Sequence, residues 1–271
     1  MRAGGAPLRP PSAIISRAMP DTTPLSAPAP LRPHPLLKRY YADEADRRRQ
    51  IGALFNRAAC DYDWINQALS FGSGAWYRGQ ALLRAGLAAG MSVLDTGAGT
   101  GGVAEQALGI VGSTGSVTAL DPSLGMLSHA TKRGVHRRVR GLAEALPFPD
   151  ERFDVLSMGY ALRHVVDLRT TFQEYRRVLK PGGKVVLLEI TPPDSRIAHH
   201  LLGFYMGRIL PLLAWFGRGG KSTRELMSYY WDTIESCVPP ATILQALDEA
   251  GFQRVERHVE RGILSEYTGV R

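Results

Sequence analysis

Beyond residue 43 the chain alternates between stretches with helical spacing of apolar residues and short runs that are apolar almost throughout. Helical spacing carries Ile51, Leu54 and Phe55 towards Trp64, and a second helix is predicted over Trp76–Ala85. Four apolar runs follow: Met91–Asp95, Ser116–Asp121, Phe153–Met158 and Lys184–Ile190. Helical segments come after the first three, the last of them carrying Leu168, Phe172, Tyr175, Val178 and Leu179. That helix is expected to stop at Lys180-Pro181-Gly182-Gly183, because glycine closes a helix C-terminus and proline cannot continue one. A run without polar alternation is the pattern of a strand covered on both faces, as in a parallel sheet.

Strand and helix in regular alternation specify a doubly wound α/β domain. The C-terminal end breaks the alternation. After a helix around Ile243, Leu244 and Leu247, the strand-like stretches Phe252–Glu260 and Gly262–Arg271 are split by only a short turn, so they must pair antiparallel. The expected fold is a Rossmann-like α/β domain: a mostly parallel seven-stranded sheet closed by a C-terminal antiparallel hairpin, with helices on both faces. That is the shape of class I S-adenosylmethionine-dependent methyltransferases. The expected organisation is a Pro- and Arg-rich leader over 1–37, a helical lid over 38–88, and the main domain over 89–271 with a helical cap at about 195–237.

Composition narrows the partners. The net charge is +8, but residues 1–50 hold nine Arg/Lys against four acids, which leaves only +3 for the other 221 residues. A nearly balanced folded part argues against a nucleic-acid surface. Residues 1–37 contain nine of the eighteen prolines and one acid, a composition expected to be disordered. A transit peptide, or translation from Met19 rather than Met1, are the other readings of this leader. The two cysteines, Cys60 and Cys237, have no metal-ligand spacing and suit a reducing compartment. The most apolar stretch, Leu201–Gly217, is interrupted by Arg208 and Pro211 and is too short to span a bilayer. A cytoplasmic location is expected, with peripheral contact to the inner membrane left open.

Gly97-Ala98-Gly99-Thr100-Gly101-Gly102, between a strand and a helix, forms a nucleotide-binding turn: glycines let the backbone approach, and the helix offers free N–H groups. Gly97, Gly99 and Gly102 also fit the dinucleotide pattern, so the loop alone does not decide the ligand. Asp95, at the strand end, suits the cationic methionyl group of S-adenosyl-L-methionine and would repel a pyrophosphate. Asp121 ends the second run and can accept ribose hydroxyls. Adenine would lie against Gly141–Pro149.

Tyr62-Asp63-Trp64-Ile65-Asn66, Leu69-Ser70, Asp95–Gly101, Ala143–Asp150, Leu162-Arg163, Arg177–Gly183 and Leu188-Glu189 all have counterparts in one family. From about Tyr62 to its C-terminus the chain resembles the ubiquinone/menaquinone biosynthesis C-methyltransferases. The resemblance implies methylation of a ring carbon in a polyprenylated benzoquinol or naphthoquinol. It also implies donor contacts at Thr100, Asp121, Leu142, Ala143 and Gly159, and a catalytic role for Arg163. Several positions depart from the family pattern. Leu142 stands for Asn or Asp, Gly159 for Ser, Gly102 for an acid, His164 for Asn, and Gly74-Ala75 where a His is expected before Trp76.

Methylating a quinol carbon requires a group that removes or stabilises the hydroxyl proton. Arg163 can hold a water or the forming phenolate, and His164 can take the proton itself. Tyr160 and Glu189 stand in reserve. Tyr62, Asp63 and Asn66 can form a lid over the donor. Leu201–Phe216 reads first as cap packing and second as a groove for an isoprenoid tail, with Arg208, Arg218 and Lys221 meeting anionic head groups. The expected partner is a lipophilic, quinol-like acceptor, with a homodimer left open. The alternatives are another small-molecule acceptor (sterol, polyketide or phenol), a binding protein without turnover, and a dinucleotide oxidoreductase.

Overall fold

The computed structural model describes residues 29–59, 72–210, 212 and 220–271. Its centre is a seven-stranded sheet: β1 Ser92–Thr96, β2 Ser116–Asp121, β3 Arg137–Arg140, β4 Phe153–Gly159, β5 Leu179–Ile190, β6 Gln253–Glu260 and β7 Leu264–Val270. The spatial order is β3-β2-β1-β4-β5-β7-β6. Strands β1 to β5 run parallel, while β7 pairs antiparallel with β5 and β6 with β7. The expected sheet and its closing hairpin are both present. β3, Arg-Arg-Val-Arg at the sheet edge, carries almost no apolar signal and is the strand the hydrophobic pattern does not locate. β5 also begins earlier than the apolar run: Phe153 pairs with Leu179 and Val155 with Lys184, so Lys180–Gly183 bulges out of the ladder.

The helices are α1 Glu44–Ala58, α2 Gly74–Arg84, α3 Gly102–Val111, α4 Leu124–Ala130, α5 Leu168–Val178, α6 Arg196–Phe204, α7 Gly220–Glu235 and α8 Pro240–Glu249. Alternating residues of each apolar strand enter opposite layers. Leu94, Leu156, Val185 and Leu187 pack with Phe172 and Tyr175 of α5 and Leu247 of α8. Val93, Val155, Val186 and Leu188 pack with Leu82 of α2, Ala104 of α3 and Leu127 of α4. A third cluster joins Leu54 of α1 to Met206 and Leu210, just past α6, and to Tyr229, Tyr230 and Ile234 of α7. This helical layer lies at the carboxyl ends of the strands. No helix among the described residues is long and apolar enough to cross a membrane.

The expected disorder over 1–37 does not extend to residues 29–37. Leu31 pairs with α5 on both sides, its N–H donating to Asp167 at 2.8 Å and its carbonyl accepting from Leu168 N–H at 2.9 Å. The Pro33 carbonyl accepts from Val238 N–H at 2.7 Å. A proline-rich segment has few donors of its own, and here its carbonyls are paired by the domain instead. Residues 1–28 lie outside the described part.

Candidate active site

The glycine loop leaves β1 and enters α3. Gly97 has φ 60, and a Cβ on it would lie 2.6 Å from that of Ala161, so only glycine fits between the loops after β1 and β4. Asp121, at the end of β2, accepts from Gly99 N–H at 2.9 Å and Ser123 N–H at 2.8 Å. Burial pushes its carboxyl up to about 6, against the pull of those two amides. Each oxygen keeps a lone pair for a ligand hydroxyl.

Asp95 behaves differently from the sequence expectation. It is 0% exposed, and its oxygens accept from Ser157 Oγ at 2.7 Å and from Ala104 N–H, in the first turn of α3, at 3.1 Å. The carboxylate therefore braces the loop from behind and does not face a ligand. Burial raises it to about 7. Thr100 is buried too, and Gly101 is the left-handed N-cap of α3; neither lines the cavity described next.

A cavity of about 400 Å³ opens at the carboxyl ends of β1, β2 and β4, within the range of small-molecule sites of about 300–1,000 Å³. One end holds Gly97, Gly99, Asp121, Leu142, Ala143 and Gly159. These include most of the expected donor contacts. Leu142 is 46% exposed, so it is an apolar wall and not core packing. Gly159 has a steric reason: a Cβ there would lie 2.6 Å from Val103 Cγ2, so the serine of the family pattern would require Val103 to shift.

Helix α1 roofs the cavity with Glu44, Arg47, Arg48, Ile51, Gly52 and Phe55, one face repeating at three and four residues. The helical spacing pointed to Ile51 and Phe55 as packing; their place on the cavity follows from how α1 is fastened. Arg47 donates to the carbonyls of Arg163 and Val165, both at 3.2 Å, and Asn56 Oδ1 accepts from Ser123 Oγ at 2.6 Å and Gly125 N–H at 3.2 Å. Nothing local in the sequence marks Asn56. The lid residues expected from sequence, Tyr62, Asp63 and Asn66, lie outside the described residues.

The Leu162–His164 turn contains a second correction. Arg163 is 1% exposed and absent from the cavity wall. Its Nε donates to Glu189 at 2.9 Å, one terminal nitrogen to Thr233 Oγ1 at 2.8 Å and the Tyr230 carbonyl at 3.3 Å, and the other to the Tyr160 carbonyl at 3.3 Å. Glu189 also accepts from Leu162 N–H at 2.9 Å. The guanidinium thus ties the turn to β5 and α7 and has no reach to a phenolate. His164 does line the cavity. Its Nδ1 lies 3.2 Å from Tyr229 Oη, and Nε2 is closed to solvent with no hydrogen-bond partner. Burial, and then the charges of Arg163 and Arg47, hold this imidazole well below its ordinary value, so it is neutral at pH 7. Tyr160 lines the cavity with φ 61, a conformation costly for a bulky side chain and found at functional sites.

Comparisons with known proteins bear on the family and the fold. The chain is 32% identical over 241 residues, 85% of its length and 94% of the relative's, to the protein named ubiquinone/menaquinone biosynthesis C-methyltransferase UbiE from Shewanella halifaxensis. The protein of that name from Shewanella oneidensis is 31% identical over the same shares. Among solved structures, a SAM-dependent methyltransferase from Thermotoga maritima superimposes with TM-score 0.57 at 19% identity, covering 80% of this chain and 98% of that one. Phosphoethanolamine N-methyltransferase 2 of Haemonchus contortus, solved with S-adenosyl-L-methionine, gives 0.54 at 18% identity, covering 80% and 57%. At such identities these structures speak for the fold alone. The family model described as the ubiE/COQ5 methyltransferase family matches residues 42–271, and the chain belongs to that family.

Proposed function

We propose that this methyltransferase uses S-adenosyl-L-methionine to methylate a ring carbon of a polyprenylated benzoquinol or naphthoquinol, with Asp121 holding the donor and His164 taking the acceptor's proton. The donor end of the cavity fits the ligand: a buried carboxylate with free lone pairs for ribose hydroxyls, glycines where a Cβ would intrude, and apolar Leu142 and Ala143 for adenine. When bound, S-adenosyl-L-methionine supplies a methyl group on a positively charged sulfur.

The rest of the cavity prepares the acceptor. Ile51, Phe55, Met158 and Val165 give an apolar wall that favours a flat ring and excludes water. With Nδ1–H donating to Tyr229 Oη, His164 keeps the Nε2 lone pair free to accept the quinol hydroxyl proton; because burial and the nearby arginines oppose its charging, the proton moves only as the methyl group is transferred. That proton transfer raises electron density on the neighbouring ring carbon, where the methyl bond forms as the carbon–sulfur bond breaks. Rearomatisation would then release the proton of the methylated carbon as the one net proton of the reaction, while His164 returns the hydroxyl proton to the ring oxygen. The single observation that supports this assignment is that the imidazole lines the cavity and its Nε2 has no hydrogen-bond partner among the described residues.

The test is quinone profiling by mass spectrometry in a strain lacking the gene, complemented with wild type or His164→Asn. Wild type should restore the methylated quinone. Purified His164→Asn should turn over about 10²-fold more slowly with unchanged donor affinity, the smaller end of general-base effects. An unmethylated quinone pool that wild type leaves untouched would overturn the acceptor, and a fully active His164→Asn would overturn the base.

A further inference from the structure

We infer that the outer face of α6 is a docking surface for an anionic phospholipid bilayer. The inference rests on the lipophilic acceptor proposed above but is carried by its own observations. Ile197, Leu201 and Phe204 are 74%, 65% and 59% exposed, and Leu212 beyond them is 51% exposed. At spacings of four and three residues, Ile197, Leu201 and Phe204 share one side of α6. The opposite side is also apolar: Met206 and Leu210 are buried against α7 and α1, with Leu202 packed beside them. A helix apolar on both sides normally has both covered. Here the inner side is covered by the protein and the outer side is not.

Charge selects the occupant. Between Asp194 and Glu225 the sequence has five Arg/Lys and no acid. Arg196 and Arg208 are exposed, and neither has an ion pair or hydrogen bond among the described residues. An apolar stripe flanked by unpaired cations, in a stretch without carboxylates, suits a surface of acyl chains under negative head groups. A second copy of this chain would bring the same uncompensated cations to the interface. Location agrees. The residues behind the stripe belong to the cluster that includes Ile51 and Phe55, so the exposed face and the cavity roof share one helical layer. An acceptor with a long isoprenoid tail then reaches the cavity without leaving the lipid phase.

Vesicle flotation of the full chain tests this, using phosphatidylglycerol-rich vesicles at low salt, with pure phosphatidylcholine as the comparison. Wild type should float with the former and far less with the latter. Leu201→Glu/Phe204→Glu and Arg196→Glu/Arg208→Glu should each cut the bound fraction about tenfold or more, since one cation at such a surface is worth about fivefold. All four side chains are exposed, so melting temperature and donor affinity should stay at wild-type values. Flotation unchanged in both variants, or absent in wild type, overturns the inference. So does a concentration-dependent dimer that Leu201→Glu/Phe204→Glu dissolves. Turnover of a short-chain, water-soluble quinol separates the two proposals. If both variants retain it, loss of flotation concerns the surface alone; if wild type lacks it yet floats, only the acceptor assignment fails.

Discussion

At Asp121 burial and function pull against each other. Its carboxyl is raised to about 6 by desolvation, yet the proposed contact with two donor hydroxyls requires it to be ionised. Donor affinity should therefore rise with pH through about 6 and level off above it, falling about tenfold by pH 5, one unit below. Calorimetry across this range should show proton release on binding below pH 6, and Asp121→Asn should flatten the profile at weak affinity. Arg163 makes the opposite kind of statement. Both members of its ion pair with Glu189 are 2% exposed at the side chain, so removing one leaves a buried charge alone. Arg163→Ala should lose about 3–5 kcal/mol of stability in urea unfolding, and the loss of activity should follow the loss of fold. The sequence shows an arginine beside the site but not its partners, which come from 26 and 70 residues further along. The position of Asp121 was legible because it needs only the end of a strand.

Among the elements, α1 is the piece that turns a glycine-loop fold into a closed site. Its start is set by Asp43, which accepts from Asp46 N–H, and its far end is held by Asn56 on the N-terminal turn of α4. Asn56→Ala removes both of those hydrogen bonds, about 1 kcal/mol net. Amides of α1 should then exchange about fivefold faster and the acceptor KM should rise by a similar factor, with α3 and β1 unaffected. The helix itself was readable from its spacing, but its place over the cavity depends on Arg47 and Asn56 contacts that no periodicity encodes. β3 failed for another reason. Its burial comes from one neighbour, β2, and its charged side chains are exposed at the edge, which is how natural edge strands resist further pairing. The core strands were legible because each is covered on both faces.

On the scale of the whole molecule, the fold divides its work between ends of the sheet. The carboxyl ends carry the cavity, and the helical layer above it is assembled from chain segments far apart, α1 from the N-terminal part and α6–α7 from beyond β5. The Arg177 side chain, at the start of the Arg177–Gly183 string, serves this division structurally: it bonds Glu174, Asp150 and the carbonyls of Leu146 and Phe148. It thus fixes the loop that follows Leu142 and Ala143. Asp121 and the glycine loop lie beneath α1, while Ile51 and Phe55 line the wall between that end and the helical layer. With the acceptor ring seated against Phe55, as the proposed function has it, the ring would stand between the cavity mouth and Asp121. Turnover should therefore follow a compulsory sequence: donor enters first, acceptor second, methylated quinol leaves third and the spent donor last. Product-inhibition kinetics would read this directly, with S-adenosylhomocysteine competitive against the donor and noncompetitive against the quinol. A random-order pattern would mean that α1 swings clear in every cycle.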